Sequence, residues 1–133
     1  MAGGPGGEVM AACAFCAPDA GRVFLENETA YALWDGYPIT EGHALVIPRR
    51  HASGYFDLTA QELLACDALL RETRELLQRR DPSVEGFNIG VNVGEVAGQT
   101  VFHCHFHLIP RRRGDVADPR GGVRRLMPHK HTE

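Results

Sequence analysis

The stretch that most constrains the fold is residues 101–109, in which apolar residues and histidines alternate. In a strand, successive side chains point to opposite faces. The even positions are all apolar: Phe102, Cys104, Phe106 and Leu108. The odd positions place three imidazoles about 6.5–7 Å apart on the other face: His103, His105 and His107. A slip of one residue would bury the imidazoles and expose two phenyl rings, so we predict a strand with a fixed register.

The rest of the chain predicts further strands and one long helix. Strands are expected at residues 22–26, 30–34, 43–47 and 86–93, where apolar runs lie between turn residues. Thr59 and Glu62 form a capping box that begins the helix, and Asp81-Pro82 ends it. Strands around a single helix predict an α+β fold with a mostly antiparallel sheet.

Size and charge exclude several classes of protein. A chain of 133 residues suggests one domain, and it has no apolar run long enough to span a membrane. With 14 basic and 17 acidic residues, it is not a general nucleic-acid coat. Residues 1–12 are read as a flexible lead-in without the basic start and apolar core of a secretory signal. We therefore expect a cytoplasmic protein with reduced cysteines.

The histidine row allows three interpretations. The first is an exposed histidine-rich strand, the second a zinc site made by all three imidazoles, and the third a site of nucleophilic catalysis. A neutral imidazole, with a pKa near 6.5, has a free lone pair at neutral pH and needs little activation. Three histidines opposite a fully apolar face disfavour the first interpretation, and the residues alone leave the other two open.

The pair Cys13 and Cys16 forms a Cys-x-x-Cys segment that fits either a metal site or a redox site. A redox motif would be expected between a strand and a helix, whereas here a glycine-rich stretch precedes it. The metal reading is therefore favoured. Cys66 and Cys104 lie in apolar patterns and are expected in the core.

Four segments, in this order and at the expected spacing, resemble the histidine triad (HIT) superfamily. They are Ala32-Leu33-Trp34-Asp35, the stretch 42–51 (Gly-His-Ala-Leu-Val-Ile-Pro-Arg-Arg-His), the loop 92–101 with Gly98-Gln99-Thr100, and the triad itself in 103–109. The resemblance covers about residues 13–110, which we take as the domain. It implies a five-stranded, mostly antiparallel sheet with one long helix and a short one.

The resemblance also implies a nucleotide hydrolase that cleaves at an α-phosphorus, with His105 as nucleophile and a nucleotidyl-histidine intermediate. His107 and His43 would assist it by donating hydrogen bonds to the phosphates or the leaving group. The implied nucleotide contacts are Phe15, Leu33, Asp35, Asn92, Gly98, Gln99 and Thr100. In some branches a structural zinc ion is held by a Cys₂His₂ set, which here would be Cys13, Cys16, His51 and His103.

The substrate is expected to carry an AMP moiety, and a homodimer is implied by the resemblance. Dinucleoside polyphosphates are the first expectation. The alternatives are purine nucleoside phosphoramidates and a nucleotide-binding regulator with incidental catalysis. The tail 111–133, with seven basic and three acidic residues, is either a solvated terminus or a patch that steers or clamps distal phosphates.

Overall fold

The computed structural model describes residues 13–127, which form a five-stranded sheet with one long helix packed on one face. The strands are β1 (Val23–Glu26), β2 (Ala30–Trp34), β3 (Ala44–Pro48), β4 (Val84–Val91) and β5 (Phe106–Arg112), and the helix α1 is Ala60–Arg80. The shorter helical elements are 3-10 turns at Ala20–Arg22, Tyr55–Asp57, Glu95–Ala97 and Gly122–Leu126. The predicted lead-in 1–12, and the part of the predicted tail after residue 127, lie outside the described residues.

The strand order is β1-β2-β3-β5-β4, and every pairing is antiparallel. This confirms the predicted fold class. Strand β5 lies between β3 and β4, with Leu108 opposite Ala44 on one side and Ile89 on the other. The strand that carries His107 is therefore held by neighbours along both edges.

Helix α1 begins and ends where the sequence predicts. The Thr59 hydroxyl accepts from the Glu62 N–H at 3.1 Å, and the Glu62 carboxylate accepts from the Thr59 N–H at 2.8 Å. Asp81 caps the other end through its N–H, which donates to the Leu77 carbonyl. The helix buries one stripe of side chains against the sheet: Glu62, Cys66, Leu69, Thr73 and Leu77.

Small side chains on the sheet allow α1 to approach closely. Ala30, Ala32 and Val46 are fully buried beneath it, in one cluster with Cys66 and Cys104. The expectation that these two cysteines are core residues is confirmed. Burial raises the pKa of each thiol to about 12, so both are neutral at physiological pH.

The predicted strand 101–109 is wrong in its first half. Strand β5 begins only at Phe106 and continues to Arg112. Before it, the Cys104 N–H donates to the Ala52 carbonyl at 2.7 Å, outside the strand ladders. The expected alternation fails at Phe102, whose side chain is 47% exposed, and at His103, which is fully buried.

Strand β5 extends past the predicted domain end at residue 110, so the first residues of the basic tail belong to the sheet. Among the described residues, no helix has the length and apolar character that a membrane crossing requires.

Candidate active site and metal centre

His105 lies just before β5 and is held in one tautomer by the backbone. Its Nδ1 is 2.8 Å from the carbonyl oxygen of His103. A carbonyl oxygen only accepts hydrogen bonds, so Nδ1 carries the proton and the neutral ring keeps its lone pair on Nε2. The ring lines a cavity of about 380 Å³. His105 therefore presents an unprotonated nitrogen to a space large enough for a small ligand.

His43 and His107 form a second fixed pair beside it. The Ile39 N–H donates to His43 Nδ1 at 3.2 Å, so the neutral His43 ring carries its proton on Nε2. That Nε2 lies 2.9 Å from His107 Nδ1 and 3.3 Å from Asp35 Oδ2. When His43 donates to His107 Nδ1, the neutral His107 ring carries its own proton on Nε2. His107 can thus donate a hydrogen bond to a bound group.

Burial keeps both imidazoles of this pair neutral. The pKa of His43 is lowered chiefly by burial, and the Asp35 carboxylate opposes that shift. The pKa of His107 is lowered by burial first and then by the neighbouring His105 and His43 rings. Near neutral pH the pair therefore acts through hydrogen bonds of defined direction.

The cavity beside His105 collects most of the predicted nucleotide contacts. Its lining includes Phe15, Asp35, Asn92, Gly98, Thr100, His105 and His107. The Phe15 ring centroid lies 5.0 Å from that of His105, so the phenyl ring forms a wall directly against the nucleophile. The lining also includes residues that the sequence did not predict, among them Arg22, Tyr37 and Leu45.

Two predicted contacts lie away from the cavity lining. Leu33 is buried in the core with Tyr31 and Ile47, and Leu45 takes the place at the cavity wall. The Gln99 side chain is 3% exposed and braces the loop. Its Oε1 accepts from the Gly94 N–H at 2.8 Å, and its Nε2 donates to the carbonyls of Ser53 and Val101.

Gln99 therefore shapes the loop, and this arrangement leaves its amide N–H groups no free donor for a phosphate. The loop also depends on Gly98, whose φ of 95° lies in the left-handed region that favours glycine. Thr100, which lines the cavity, is the loop side chain available to a ligand.

The four predicted metal ligands converge. Cys16 Sγ lies 3.1 Å from His51 Nδ1 and 3.5 Å from His103 Nδ1, and Cys13 Sγ lies 3.5 Å from His103 Nδ1. The two Nδ1 atoms are 3.2 Å apart. Zinc bond lengths of about 2.3 Å to sulfur and 2.0–2.1 Å to nitrogen give tetrahedral edges of about 3.3–3.8 Å. The donor set therefore fits a tetrahedral ion.

The buried His103 ring is oriented for this role. Its Nε2 lies 2.7 Å from the Pro48 carbonyl, which requires the proton on Nε2 and leaves the Nδ1 lone pair facing the cysteines. The pKa of His103 is lowered mainly by burial, so the ring is neutral, as a metal ligand must be. Such a hydrogen bond to the non-ligating nitrogen is the usual support of a metal-bound histidine.

The loop between the two cysteines links the cluster of Cys13, Cys16, His51 and His103 to the cavity. The buried Tyr31 hydroxyl donates to the Phe15 carbonyl at 2.6 Å and fixes this loop against β2. Phe15 lies between Cys13 and Cys16, with its ring on His105. The groups that would hold a metal thus also place one wall of the cavity.

The three triad imidazoles do not share one metal site. His103 belongs to the cysteine cluster, and within the described residues the other group of possible ligands is Asp35, His43 and His107. Ligation through His43 Nε2 would move its proton to Nδ1, against the Ile39 N–H that now donates there. This argues against a hydrolytic metal site built on the triad.

The basic tail is largely paired with carboxylates. Arg111 bonds Asp115 through two nitrogens, and Arg113 pairs with Glu85. Further along, both Arg120 and Arg125 bridge to Asp118. From His107, strand β5 runs about 13 Å to Arg111, where the tail starts. The described tail therefore offers less free positive charge than its composition implies.

The geometry of this site matches a known family. A family model described as the HIT domain matches residues 19–114. The chain belongs to the HIT family. The resemblance inferred from the four sequence segments is thereby confirmed.

Several named proteins are similar to this HIT protein. The asymmetrical bis(5'-nucleosyl)-tetraphosphatase of Schizosaccharomyces pombe is 36% identical over 101 residues, covering 76% of this chain and 55% of that protein. Adenosine 5'-monophosphoramidase of Candida albicans is 32% identical over 109 residues, covering 77% and 72%. A zinc-bound histidine triad family protein from Mycobacterium smegmatis superposes with a TM-score of 0.72 at 33% identity, covering 80% of each chain. This HIT-family chain therefore has two nucleotide-cleaving enzymes among its relatives.

Proposed function

We propose that the chain hydrolyses conjugates of AMP at the α-phosphorus, through a covalent nucleotidyl group on His105 Nε2. The observation that carries this proposal is the 2.8 Å bond from His105 Nδ1 to the His103 carbonyl. It leaves the attacking lone pair on Nε2, toward the cavity. His105 directly precedes β5, which is paired with β3 on one edge and β4 on the other. This support favours a fixed direction of attack.

The reaction has two steps with balanced bonds. In the first, the Nε2 lone pair forms a bond to phosphorus, and the bond to the leaving group breaks with its electron pair. A polyphosphate leaves as an anion and needs no proton, and the His107 Nε2–H stabilises the phosphate or leaving oxygen by a hydrogen bond. In the second step water attacks phosphorus, the electron pair of the P–N bond returns to Nε2, AMP is released and a proton passes to solvent.

The remaining lining groups suit the rest of a nucleotide. The Thr100 hydroxyl lies where it can donate to a phosphate oxygen. The Gly98 N–H already donates to the Glu95 carbonyl at 2.9 Å, so Gly98 contributes a close approach of the backbone without a Cβ. Asp35 reaches the same cavity, where a carboxylate can accept from ribose hydroxyls. Its Oδ1 already accepts from the Tyr37 N–H at 2.7 Å, which fixes the orientation of the carboxylate. Phe15 and Leu45 supply an apolar surface for the base.

Dinucleoside polyphosphates remain the first candidate substrates, supported by the Schizosaccharomyces pombe relative. One observation favours a second candidate, the nucleoside phosphoramidates. Because most arginines of the described tail are ion-paired, as with Arg111 and Asp115, the part of the tail that the structure describes has little free charge to clamp extra phosphates. An amine would need none: it leaves neutral by taking a proton from the His107 Nε2–H as the P–N bond breaks, and water then restores the proton to His107.

The test compares kcat/KM for diadenosine tetraphosphate and adenosine 5'-phosphoramidate, with His105→Ala as the inactive control. Polyphosphate preference supports the first candidate, and a preference for the phosphoramidate by orders of magnitude replaces it with the second. If neither compound is turned over, or His105→Ala retains the full rate, the proposed function is wrong.

The cysteine and histidine cluster is proposed to hold one structural zinc ion per chain. Cys13, Cys16, His51 and His103 would fill all four tetrahedral positions, which leaves none for substrate. Bound there, zinc supplies a rigid crosslink between the N-terminal loop and the segment before β5. Metal analysis of the purified protein near one zinc per chain supports this assignment, and its absence rejects it.

A homodimer is also proposed, through the outer edge of β4. This strand is an edge of the sheet, and an unpaired edge invites another strand. Ile89 is 53% exposed on it, and Leu64 on α1 is 71% exposed. Sedimentation equilibrium is expected to give twice the chain mass, and Ile89→Lys is expected to shift the protein toward monomer.

A further inference from the structure

The loop between β2 and β3, residues 35–43, has little support from the core. Tyr37 and Ile39 are 91% and 74% exposed, so its large apolar side chains do not anchor it. A cavity of about 450 Å³ lies against the loop, lined by Pro38, Gly42 and Leu77 among others. Segments with few buried apolar contacts open at low free energy, so the position of this loop must be fixed by other interactions.

Arg112, the last residue of β5, supplies two of those interactions. Its Nη1 donates to Thr40 Oγ1 and its Nη2 to the Glu41 carbonyl, each at 2.9 Å. Its Nε and Nη2 also donate to Asp81 Oδ2, at 3.2 and 2.9 Å. One guanidinium therefore ties the loop to the end of the catalytic strand and to the C-terminal cap of α1. The planar, forked geometry of arginine is suited to such a bridge, and that of lysine is not.

The same loop carries the N–H group that sets the tautomer of His43. The Ile39 N–H donates to His43 Nδ1, and Ile39 directly precedes the two residues that Arg112 holds. The turn is closed by the His43 N–H, which donates to the Thr40 carbonyl at 3.1 Å. A displacement of Thr40 would therefore move both ends of the turn that orients His43.

We propose that Arg112 is a positioning residue for the reaction at His105. It holds the 35–43 loop so that the Ile39 N–H donates to His43 Nδ1 and keeps the His43 proton on Nε2. His43 then donates that proton to His107 Nδ1, so His107 carries its own proton on Nε2. This inference rests on the proposed function for its kinetic part. Without the Ile39 bond, the acceptors Asp35 Oδ2 and His107 Nδ1 still favour the His43 proton on Nε2, but a larger fraction of His43 carries it on Nδ1. His107 then donates from Nδ1 to His43 and offers the phosphate a lone pair in place of a donor.

Three variants and one matched control test the proposal. Arg112→Met removes every contact of the guanidinium, and Arg112→Lys keeps the charge without the fork. Thr40→Val removes only the Oγ1 acceptor and leaves the bond to the helix cap intact. The control is Arg113→Met, since Arg113 is the next residue and makes an exposed ion pair with Glu85.

The decisive readout is the ¹⁵N spectrum of the His43 ring at neutral pH, because protonated and unprotonated ring nitrogens have very different shifts. In the natural protein and Arg113→Met, we expect Nδ1 unprotonated and Nε2 protonated. In Arg112→Met and Arg112→Lys we expect a mixture of tautomers, and in Thr40→Val a smaller change of the same sign. The kcat is expected to fall by about two- to tenfold, in proportion to the competent tautomer, with KM little changed.

The two readouts separate the possible failures. If His43 keeps one tautomer in folded Arg112→Met and Thr40→Val, the positioning role is refuted, whatever the rates. A second outcome is a change of the His43 tautomer in the variants while neither the natural protein nor any variant turns over an AMP conjugate. In that case the proposed function fails and the role of Arg112 in positioning His43 stands. A fall in kcat that Arg112→Lys restores fully would show that charge is sufficient and would also overturn the proposal.

Discussion

The carboxylate of Glu62 gives a sharp test of how the part of the fold next to the cysteine and histidine cluster is held. It is buried at the start of α1, where it accepts from Arg50 Nε and Nη2 at 2.8 and 2.9 Å and from the Thr59 N–H. Arg50 directly precedes His51, one of the four converging ligands. The Glu62 contacts therefore connect the helix cap to the segment that carries His51, one of the proposed zinc ligands.

We predict that Glu62→Gln lowers the free energy of unfolding by about 2 kcal/mol at neutral pH. Removing one member of a buried ion pair costs about 3–5 kcal/mol. The cost is smaller here because the Arg50 side chain is 32% exposed, so water can solvate part of the guanidinium after its carboxylate partner is removed. The glutamine oxygen can still accept from the Thr59 N–H, so most of the cap survives. With a urea m-value of about 2 kcal/mol/M, the midpoint moves down by about 1 M.

The pH dependence of that difference has a definite sign. The pKa of Glu62 is lowered below its usual 4.5, chiefly because Arg50 donates to the carboxylate. A group with a lowered folded pKa contributes its full stability above the unfolded pKa and loses it as the pH falls through the folded pKa. The gap between the natural protein and Glu62→Gln should therefore be complete above pH 4.5 and shrink in more acidic solution.

The assay is urea unfolding of both proteins, followed by circular dichroism at several pH values. Asp67→Asn is the control, since the Asp67 and Arg71 side chains form an exposed pair worth less than about 1 kcal/mol. A loss below about 0.5 kcal/mol for Glu62→Gln, or a gap that stays constant as the pH falls below 4.5, would refute this reasoning.

Three further substitutions test other parts of the account. Cys13→Ser should reduce the amount of bound zinc. If free zinc exceeds the Kd of the natural site a thousandfold, the variant should also lose about 4 kcal/mol of stability. The control Cys66→Ala should retain the metal, and equal zinc content in both variants would contradict the zinc assignment. Gln99→Ala should lower the free energy of unfolding by about 1–3 kcal/mol, because the Gln99 carboxamide makes three hydrogen bonds. Unchanged stability with only a raised KM would point instead to direct phosphate binding by Gln99. Gly42→Ala should lower the free energy of unfolding by about 1–3 kcal/mol, measured by thermal unfolding, because φ is +90° and the new Cβ would lie 2.8 Å from Leu77 Cδ2. The control Gly86→Ala, whose Cβ meets nothing closer than 3.9 Å, should be nearly neutral. Similar losses of stability in both variants would contradict the prediction.

The parts of the fold that follow local rules were predictable from the sequence. The capping box at Thr59 and the stop at Asp81 depend on neighbouring residues, so the helix bounds were accurate. The register of β5 was also correct from Phe106 onward, because apolar side chains face the helix there. The start of that strand was not, because His103 turns toward Cys13 and Cys16, which lie about ninety residues away.

The site was predictable where side-chain identity carries the chemistry. Cys13, Cys16, His51 and His103 converge, and a cavity lies beside His105; that these groups bind a metal ion and a nucleotide stays a prediction. The Ile39 contact could not be anticipated, because a backbone N–H is the same in every residue except proline. Gln99 shows the converse: its amide suits a phosphate, but tertiary structure directs it to the backbone. The tail arginines have carboxylate partners that composition does not reveal.

The central claim is that His105 Nε2 becomes covalently bonded to the α-phosphorus. It is tested most directly by rapid mixing of the protein with diadenosine tetraphosphate or adenosine 5'-phosphoramidate, quenching at alkaline pH to preserve a phosphorus–nitrogen bond, and peptide mass spectrometry. We predict an added AMP group on the peptide containing residues 103–107, located on His105 by fragmentation and absent from His105→Ala. Turnover of either substrate with no adduct at any time, or with the adduct on another residue, would contradict this account.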